Sequence, residues 1–473
     1  MIRFEIPAFI KEICVKLNTA GHRAYVVGGA LRDMLLGREN PDFDIATSAL
    51  PDEIASVFPD AVPYGNFGTM LVIRKNPIKK TSCDPRRELN LLEDNIKETK
   101  IKIEITPFRD DAPGRKPDYT FGGSIYTDLA RRDFTINSMA YDPISDEFLD
   151  PFGGLSDLEA GIIRCTGSTK RIWEDPLRAM RAARFQAQLG FSIEPSTLYA
   201  LKARACELAD ISRERIRDEL SKLLTGDNCY DGLVTLVVTG LMEYIIPELM
   251  EGMGMMHYNK PVDVLEHNLI ACKVIRNTLP LRLAALLHDA AKPRSAIEGE
   301  KGLEFPQHHV KSSIMAENIL RNLRYDNNTV KKVVLLIRHH MFHYTAESQI
   351  SEARRLVSKV GWENIYDLID LRVADRIASG FEKAVGHGLK KLLEDLEVIK
   401  REHSDYQIKD LDISGDDLIK ELGIPPGPRI GEILKELLEK VIEDPGLNKR
   451  DILLDIARRL KYRSGYWRHN HGF

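Results

Sequence analysis

At 473 residues the chain is long enough for two to four domains, each with its own core. With 43% hydrophobic and 29% charged residues it reads as globular, and a formal net charge of −4 means that any cationic face for nucleic acid has to be local. The six cysteines are scattered without a C-x-x-C pair, which leaves neither a disulfide framework nor a cysteine zinc knot; no apolar run approaches a membrane span and the N-terminus carries no leader pattern, so a cytoplasmic protein is expected.

Residues 5–20 place Ile6, Phe9, Ile10, Ile13 and Leu17 at helical spacing, which predicts an opening helix. An apolar run at 24–27 predicts a strand, closed by Gly28 and Gly29, a turn where backbone can approach phosphate. A short helix through Arg32 to Leu36 leads to a strand around Asp44. Asp42 and Asp44 are one residue apart, so a strand sets both carboxylates on one face. Paired carboxylates beside such a turn suit a two-metal nucleotidyl transfer, with Mg²⁺ ions clamping a nucleoside triphosphate. An ordinary turn and a solvated acidic edge are the plainer alternative. Arg32 and Asp33 suit orientation of the turn and the triphosphate, or a helix-start salt bridge. Residues 65–73 and 100–106 predict further strands, with the charged stretch 76–98 inserted on their hairpin. Glu104, between Ile103 and Ile105, is a candidate third catalytic carboxylate or a solvent-facing strand residue.

The run Arg131-Arg-Asp-Phe-Thr-Ile-Asn137 alternates polar reach with apolar anchoring. Arg131 and Arg132 suit phosphate, and Asp133 and Asn137 suit ribose hydroxyls. In Glu174-Asp-Pro-Leu-Arg178, Pro176 sits where a first helical turn begins, and Asp175 and Arg178 share a face. An acceptor beside a donor complements the amino group and bare ring nitrogen of adenine and cytosine, and meets guanine and uracil like against like. Such a pair selects ATP and CTP without a template; an intrahelical ion pair worth a few tenths of a kcal/mol is the alternative. Arg181 and Arg184 follow on the same segment as further nucleotide-binding candidates. From Glu174 onward helical periodicity dominates, so the fold class is α+β: a small mixed-sheet head followed by all-helical regions. The mixed sheet ends near residue 150, and the composition changes near 253–259 and again at 424–429; domains are expected at 1–150, 151–252, 253–400 and 401–473, the third carrying most of the histidines.

These motifs make the first half resemble a class II tRNA nucleotidyltransferase of the CCA-adding enzyme and poly(A) polymerase superfamily. The matching stretches are G-G-x-x-R-D with D-x-D (Gly28 to Asp44), R-R-D-F-T-I-N (Arg131 to Asn137), D-P-F-G-G (Asp150 to Gly154), E-D-P-L-R (Glu174 to Arg178) and R-E-R-I-R-D-E-L (Arg213 to Leu220). The resemblance implies a catalytic head, a nucleotide-recognising neck with Asp175 and Arg178 as protein template, a body and a tRNA-contacting tail. It implies addition of the 3′-terminal CCA of tRNA from CTP and ATP, with CC-only, A-only and poly(A) synthesis as rivals of the same fold. The insertion at 76–98 is longer than the family pattern, the flexible loop at 109–117 is a few residues short of it, and Ser138 replaces the usual alanine.

His267, His288-Asp289 and Asp375 resemble the metal ligands of an HD phosphohydrolase domain, with His308 and His340 available to a second ion and Ala291 where a glycine is usual. A further divalent metal is thereby implied, and an HD metallo-phosphohydrolase is the rival function of another class. Arg354, Arg355, Arg458, Arg459 and the Tyr466-Trp467-Arg468 tail are candidate tRNA phosphate contacts, or solvated helix faces. Oligomeric state is not legible in the chain.

Overall fold

The computed structural model describes residues 4–38, 43–65, 68–76, 99–111, 119–256, 261–300, 302–381, 385–402 and 406–463. Asp42, the insertion from 77 to 98, the loop from 112 to 118 and the Tyr466-Trp467-Arg468 tail lie outside the described residues. The chain forms two compact units, Met1–Ile245 and Ile246–Phe473.

In the first unit, α1 (Ala8–Thr19) buries Ile10, Ile13, Cys14 and Leu17, the face that its apolar period sets out. The strand β1 (Ala24–Val27) is buried along its whole length. The short helix α2 (Gly29–Leu35), β2 (Phe43–Thr47), α3 (Pro51–Val57) and the strands β3 (Val62–Tyr64), β4 (Thr69–Asn76) and β5 (Thr99–Pro107) follow. After the small hairpin β6 (Arg109–Asp111) and β7 (Tyr119–Phe121) come α4 (Ile125–Ala130), β8 (Ala140–Asp142) and β9 (Glu147–Leu149). Seven strands make one mixed sheet in the order β3-β4-β5-β2-β1-β8-β9, in which β2 and β5 are parallel and the other pairs antiparallel. Alternate residues of β1 enter different cores: Ala24 and Val26 join the cluster of α1 and α3, while Tyr25 and Val27 pack with Phe108, Ile125 and Leu129.

The expected strand at 65–73 begins only at Thr69, because Gly65 and Gly68, at φ +67° and +71°, make the turn that pairs β4 with the unforeseen β3. Asn76 pairs with Thr99, so the inserted stretch does join the two strands of a hairpin.

Helices then take over: α5 (Gly154–Ala160), α6 (Lys170–Glu174), α7 (Leu177–Leu189), α8 (Pro195–Ala203), α9 (Arg213–Leu224), α10 (Cys229–Val238) and α11 (Met242–Ile245), with the two-residue strands β10 (Ile162–Ile163) and β11 (Ser192–Ile193) between them. α7 packs against α9 and α10. A Cβ on Gly232 would lie 2.7 Å from the Ala183 carbonyl oxygen, so that glycine lets α10 approach α7 closely.

The second unit runs from α12 (Pro247–Met250) through α13 (Val264–Val274), α14 (Leu279–Leu287), the hairpin β12 (Ile297–Gly299) and β13 (Gly302–Glu304), α15 (His308–Asn322), α16 (Asn327–His339), α17 (Ile350–Val360), α18 (Trp362–Ala378), α19 (His387–Glu402), α20 (Gly415–Leu422) and α21 (Pro428–Glu443) to α22 (Arg450–Arg463). The last three helices share a hydrophobic cluster of their own around Leu418, Ile433, Leu437 and Leu453. Arg354 and Arg355 are not on an open face. Arg354 is buried and donates to the Ile442 carbonyl at the end of α21, and Arg355 pairs with Glu439 and Glu443 at 2.7 Å each. Both arginines tie α17 to α21, since a guanidinium satisfies the orphan carbonyls and the acidic last turn of a helix. Arg459 is solvent-exposed and pairs with Asp455.

Candidate active site

The apolar run of β1 ends at Gly28, whose φ of +73° an L side chain rarely adopts. A Cβ there would lie 2.9 Å from Arg132 Nη1 and 3.4 Å from Asp44 Oδ2, so both side chains approach the turn closely. Asp44 is in register with Val27 of β1 on one side and with Glu104 of β5 on the other. Registered neighbours on paired strands point to the same face, and the flanking Phe43, Ile45, Ile103 and Ile105 are buried on the opposite one. The two carboxylates therefore stand side by side at the glycine turn, where both line a cavity of about 970 Å³. Their chemistry fits divalent cations, being hard oxygen donors in an open, cation-flanked pocket.

Arg131 and Arg132 are gathered by a residue that the sequence did not single out. Asp128 on α4, 1% exposed, accepts from Arg131 Nη2 at 2.6 Å and from Arg132 Nη2 at 3.1 Å. Burial alone would raise its carboxyl pKa, but the two guanidiniums outweigh burial and lower it. Asp128→Ala strands both guanidiniums and is expected to cost about 3 kcal/mol in denaturant unfolding. Arg32 pairs with Asp33 and donates to Asn137 Oδ1 at 2.8 Å, so the helix-start salt bridge and a tie toward the ribose candidates are both present. Asp133, fully enclosed, accepts from the Phe134 backbone N–H, Asn137 and Arg181. Burial acts to raise its pKa; the Arg181 guanidinium and these hydrogen bonds prevail and hold it well below the usual range.

Asp175 and Arg178 do not pair with each other through their side chains. Asp175 Oδ1 accepts from the Leu177 N–H at 3.0 Å and Oδ2 from Arg215 Nη2 at 2.9 Å, while Arg178 donates to the carbonyls of Arg171 and Arg131 and to Glu174. Farther along α7, Arg184 pairs with buried Glu219 of α9 at 3.2 Å, and burial, then the charge of Arg181, lowers its pKa to about 10. Phe185 gathers the guanidiniums of Arg184, Arg32 and Arg181 within 4.2, 5.0 and 5.4 Å of its ring centroid. Gly28, Gly29, Arg32, Asp44, Glu104, Arg132, Asp133, Asn137, Asp175, Arg178, Arg181 and Arg184 all line the one cavity; Asp42 is outside the described residues. Asp128, Glu219, Phe185 and Arg215 were not singled out from the sequence and are added by the structure. The R-E-R-I-R-D-E-L stretch was the signal for Arg215 and Glu219.

In the second unit His267 (α13), His288 and Asp289 (just after α14) and Asp375 (α18) converge, and Asp289 joins His308 and His340 in a second group; within each, the donor atoms lie within 4.8 Å of one another. Asp289 bridges them: Oδ2 is 3.3 Å from His267 Nε2 and 3.4 Å from His288 Nε2, while Oδ1 is 3.2 Å from His308 Nε2 and 3.8 Å from His340 Nε2. His288, His308 and His340 each donate Nδ1–H to the carbonyl three residues earlier, on Ala285, Phe305 and Ile337. That bond fixes the tautomer and leaves Nε2 as a lone-pair donor. Among the described residues, Nε2 of His308 and of His340 is buried and makes no well-aligned hydrogen bond. Burial, then His288, lowers the His340 pKa to about 3. Burial acts upward on both carboxylates, yet Lys292 and the histidines hold Asp289, and His267 and His288 hold Asp375, well below the usual carboxylate range. Buried imidazole lone pairs facing one carboxylate are a donor set that fits divalent metal.

Three family models match the chain: the poly A polymerase head domain over residues 24–164, a probable RNA and SrmB-binding site of polymerase A over 190–253, and a putative tRNA nucleotidyltransferase domain 2 over 308–457. A CCA-adding enzyme of Lactiplantibacillus plantarum is 32% identical over 97% of this chain and 98% of its own length. The chain belongs to the tRNA nucleotidyltransferase family.

An A-adding tRNA nucleotidyltransferase of Deinococcus radiodurans is 31% identical over 88% of the chain and 91% of that protein. The crystal structure of the Bacillus stearothermophilus CCA-adding enzyme in complex with CTP superposes with a TM-score of 0.69 at 28% identity, covering 96% of this chain and 97% of that one. The nucleotidyltransferase head model spans the glycine turn, both strand carboxylates and the Arg131–Asn137 run, whereas Asp175 and Arg178 fall between two matched segments. His267, His288 and Asp289 also fall between matched segments, while His308, His340 and Asp375 lie inside the third, so no one family model spans the whole histidine centre. Membership of the family implies use of divalent metal. Among the described residues no helix is long and apolar enough to cross a membrane.

Proposed function

We propose that this tRNA nucleotidyltransferase adds C and A to the 3′ end of tRNA, from CTP and ATP and without a nucleic-acid template, in the cytoplasm. The observation that carries it is a single cavity holding the Asp44–Glu104 pair at a glycine turn together with Asp175 and Arg178 of the neck. Asp44 and Glu104, with Asp42 two residues earlier in sequence, would hold Mg²⁺. Cations bound there would supply charge to lower the pKa of the attacking RNA hydroxyl and to neutralise the leaving pyrophosphate. Arg131 and Arg132, fixed by Asp128, offer planar donors to the triphosphate. Asp133 and Asn137, held against Arg181 and Arg32, present acceptors to ribose hydroxyls. Asp175 accepts from the amino group of adenine or cytosine while Arg178 donates to the neighbouring ring nitrogen. Arg181 and Arg184 set the cationic wall behind them. The division into head (1–150), neck (151–252), body (253–400) and tail (401–473) accompanies this assignment.

A relative that adds A alone, at nearly the same identity as the CCA-adding one, makes the end product the property to measure. Transcripts of tRNA ending at the discriminator base, at C and at CC are incubated with labelled CTP and ATP, and the extended ends sequenced. All three are expected to finish as CCA; extension of the CC-ended transcript alone would replace the proposal with A addition, and arrest at CC with CC addition.

A second assignment rests on its own observation, the bridged His–Asp centre. His267, His288, Asp289 and Asp375 would hold one divalent ion and His308, His340 and Asp289 a second, as in an HD phosphohydrolase domain. Metal held there would supply a Lewis acid toward a phosphate ester.

A further inference from the structure

In the neck, the only side-chain donor the described residues show on the Asp175 carboxylate comes from the next layer of the neck, Arg215 of α9, whose Nη2 lies 2.9 Å from Oδ2. The other oxygen is taken by the backbone N–H of Leu177, so the carboxylate is gripped from both ends and its plane is fixed against the start of α7. α9 is tied to α7 a second time, farther along, by the buried Arg184–Glu219 pair. Arg215 also lines the cavity, with its side chain half exposed.

We propose that Arg215 is a positioning residue for base selection: it sets the orientation in which Asp175 presents its remaining lone pairs to the incoming base. The proposal rests on Asp175 reading the base. An aspartate held only by Leu177 N–H is free to rotate about χ2, which is broad and roughly two-fold. Rotation moves Oδ2 off the plane of the base, where a hydrogen bond is strongest and where a carbonyl-bearing base is repelled. Discrimination against uracil and guanine depends on that repulsion being aligned, because a swinging carboxylate avoids the clash as readily as it misses the correct amino group. A lysine at 215 can keep the charge near Oδ2 but lacks the planar fork that fixes direction, so it is not equivalent.

The test uses the full chain with Arg215→Ala, Arg215→Lys, Asp175→Ala and, as a matched arginine on α9, Arg217→Ala, each checked for an unchanged circular dichroism spectrum and melting temperature. Single-turnover addition to tRNA is measured with CTP, ATP, UTP and GTP. Arg215→Ala is expected to lower the preference for CTP over UTP by about tenfold, chiefly through KM for CTP, with kcat within about threefold, as for loss of an orienting rather than a reacting group. Arg215→Lys should recover part of the preference, Arg217→Ala should match wild type, and in the Asp175→Ala background the Arg215→Ala change should have no further effect on selection. Equal weakening of all four nucleotides in Arg215→Ala, with the preference intact, would make Arg215 a phosphate contact and overturn the proposal. An unchanged Arg215→Ala enzyme beside an Asp175→Ala enzyme that has lost selection would overturn it while leaving Asp175 as base reader. Retained selection in Asp175→Ala would remove the base reader itself, and the proposal with it. If Arg215→Ala does not fold, the Arg215→Lys preference alone decides: wild-type selection overturns the proposal, reduced selection supports it.

Discussion

Asp44→Ala is expected to lower incorporation of labelled CTP and ATP into tRNA by about 10³-fold or more in kcat, because a cation held between Asp44 and its neighbouring carboxylates would lose a hard-oxygen ligand at the reacting centre. The strand should survive the change. Asp44 sits between Phe43 and Ile45, both buried on the opposite face, and contributes no side chain to that core. Truncation of Asp44 leaves the buried face of the strand intact, so the melting temperature should change by no more than a few degrees. Glu104→Gln separates the two roles open to that residue. A solvent-facing strand residue tolerates the isosteric amide, whereas a cation ligand loses its charge and kcat falls by about 10²-fold or more. Activity of Asp44→Ala within tenfold of wild type would detach the chemistry from this face of the sheet altogether.

The parts of this site that were legible in sequence are those fixed by local chemistry. The apolar run 24–27 followed by two glycines can hardly be anything but a buried strand and a tight turn, and β1 occupies those residues. Helical periodicity placed α1 and α7 in the same way. What could not be read is pairing at long range. The parallel pairing of β2 with β5 puts Glu104 beside Asp44, yet β3, β4 and the inserted stretch intervene, and nothing in either strand states the register. The three-residue strands β3, β8 and β9 are too short to show a period of two and were missed for that reason. Buried charges were the other blind spot. Asp128 resembles any helix-surface acid in the sequence, and Glu219 is buried only because Arg184, thirty-five residues earlier, comes to meet it. Arg354 and Arg355 failed in the opposite direction, their charge suggesting a nucleic-acid surface while their helix actually faces the end of α21. The histidine cluster was legible because few chemistries place His beside Asp with further histidines at helix ends; its bridging carboxylate, with one oxygen turned to each group, was not.

That bridge gives the second large effect. Titrating a divalent transition metal such as Mn²⁺, Co²⁺, Ni²⁺ or Zn²⁺ into the metal-stripped full chain is expected to raise the unfolding midpoint by about 5–10 °C at a hundredfold excess over Kd, since that excess contributes about 2.7 kcal/mol and a unit of this size gains a few degrees per kcal/mol. Without metal, Asp289 is buried and neutralised by Lys292 and the surrounding histidines, an arrangement in which, among the described residues, the Nε2 atoms of His308 and His340 make no well-aligned hydrogen bond. Binding satisfies those atoms in the folded state alone. Protons compete in a defined direction: burial acts to lower the His288 pKa, Asp289 and Asp375 overcome it, and the raised value means that acidification protonates this ligand before an ordinary histidine. The metal-induced shift should therefore shrink as the pH falls below neutrality. His340, held neutral by burial and by His288, adds no such dependence above pH 3. His340→Ala should reduce the bound metal per chain from two ions to one, counted by mass spectrometry of the dialysed protein, and Asp289→Ala should abolish both, because it alone belongs to both groups. A stripped chain whose midpoint ignores every one of these metals would reduce the cluster to a packing device in the helical core, and an Asp289→Ala chain that still binds two ions would remove Asp289 as their shared ligand.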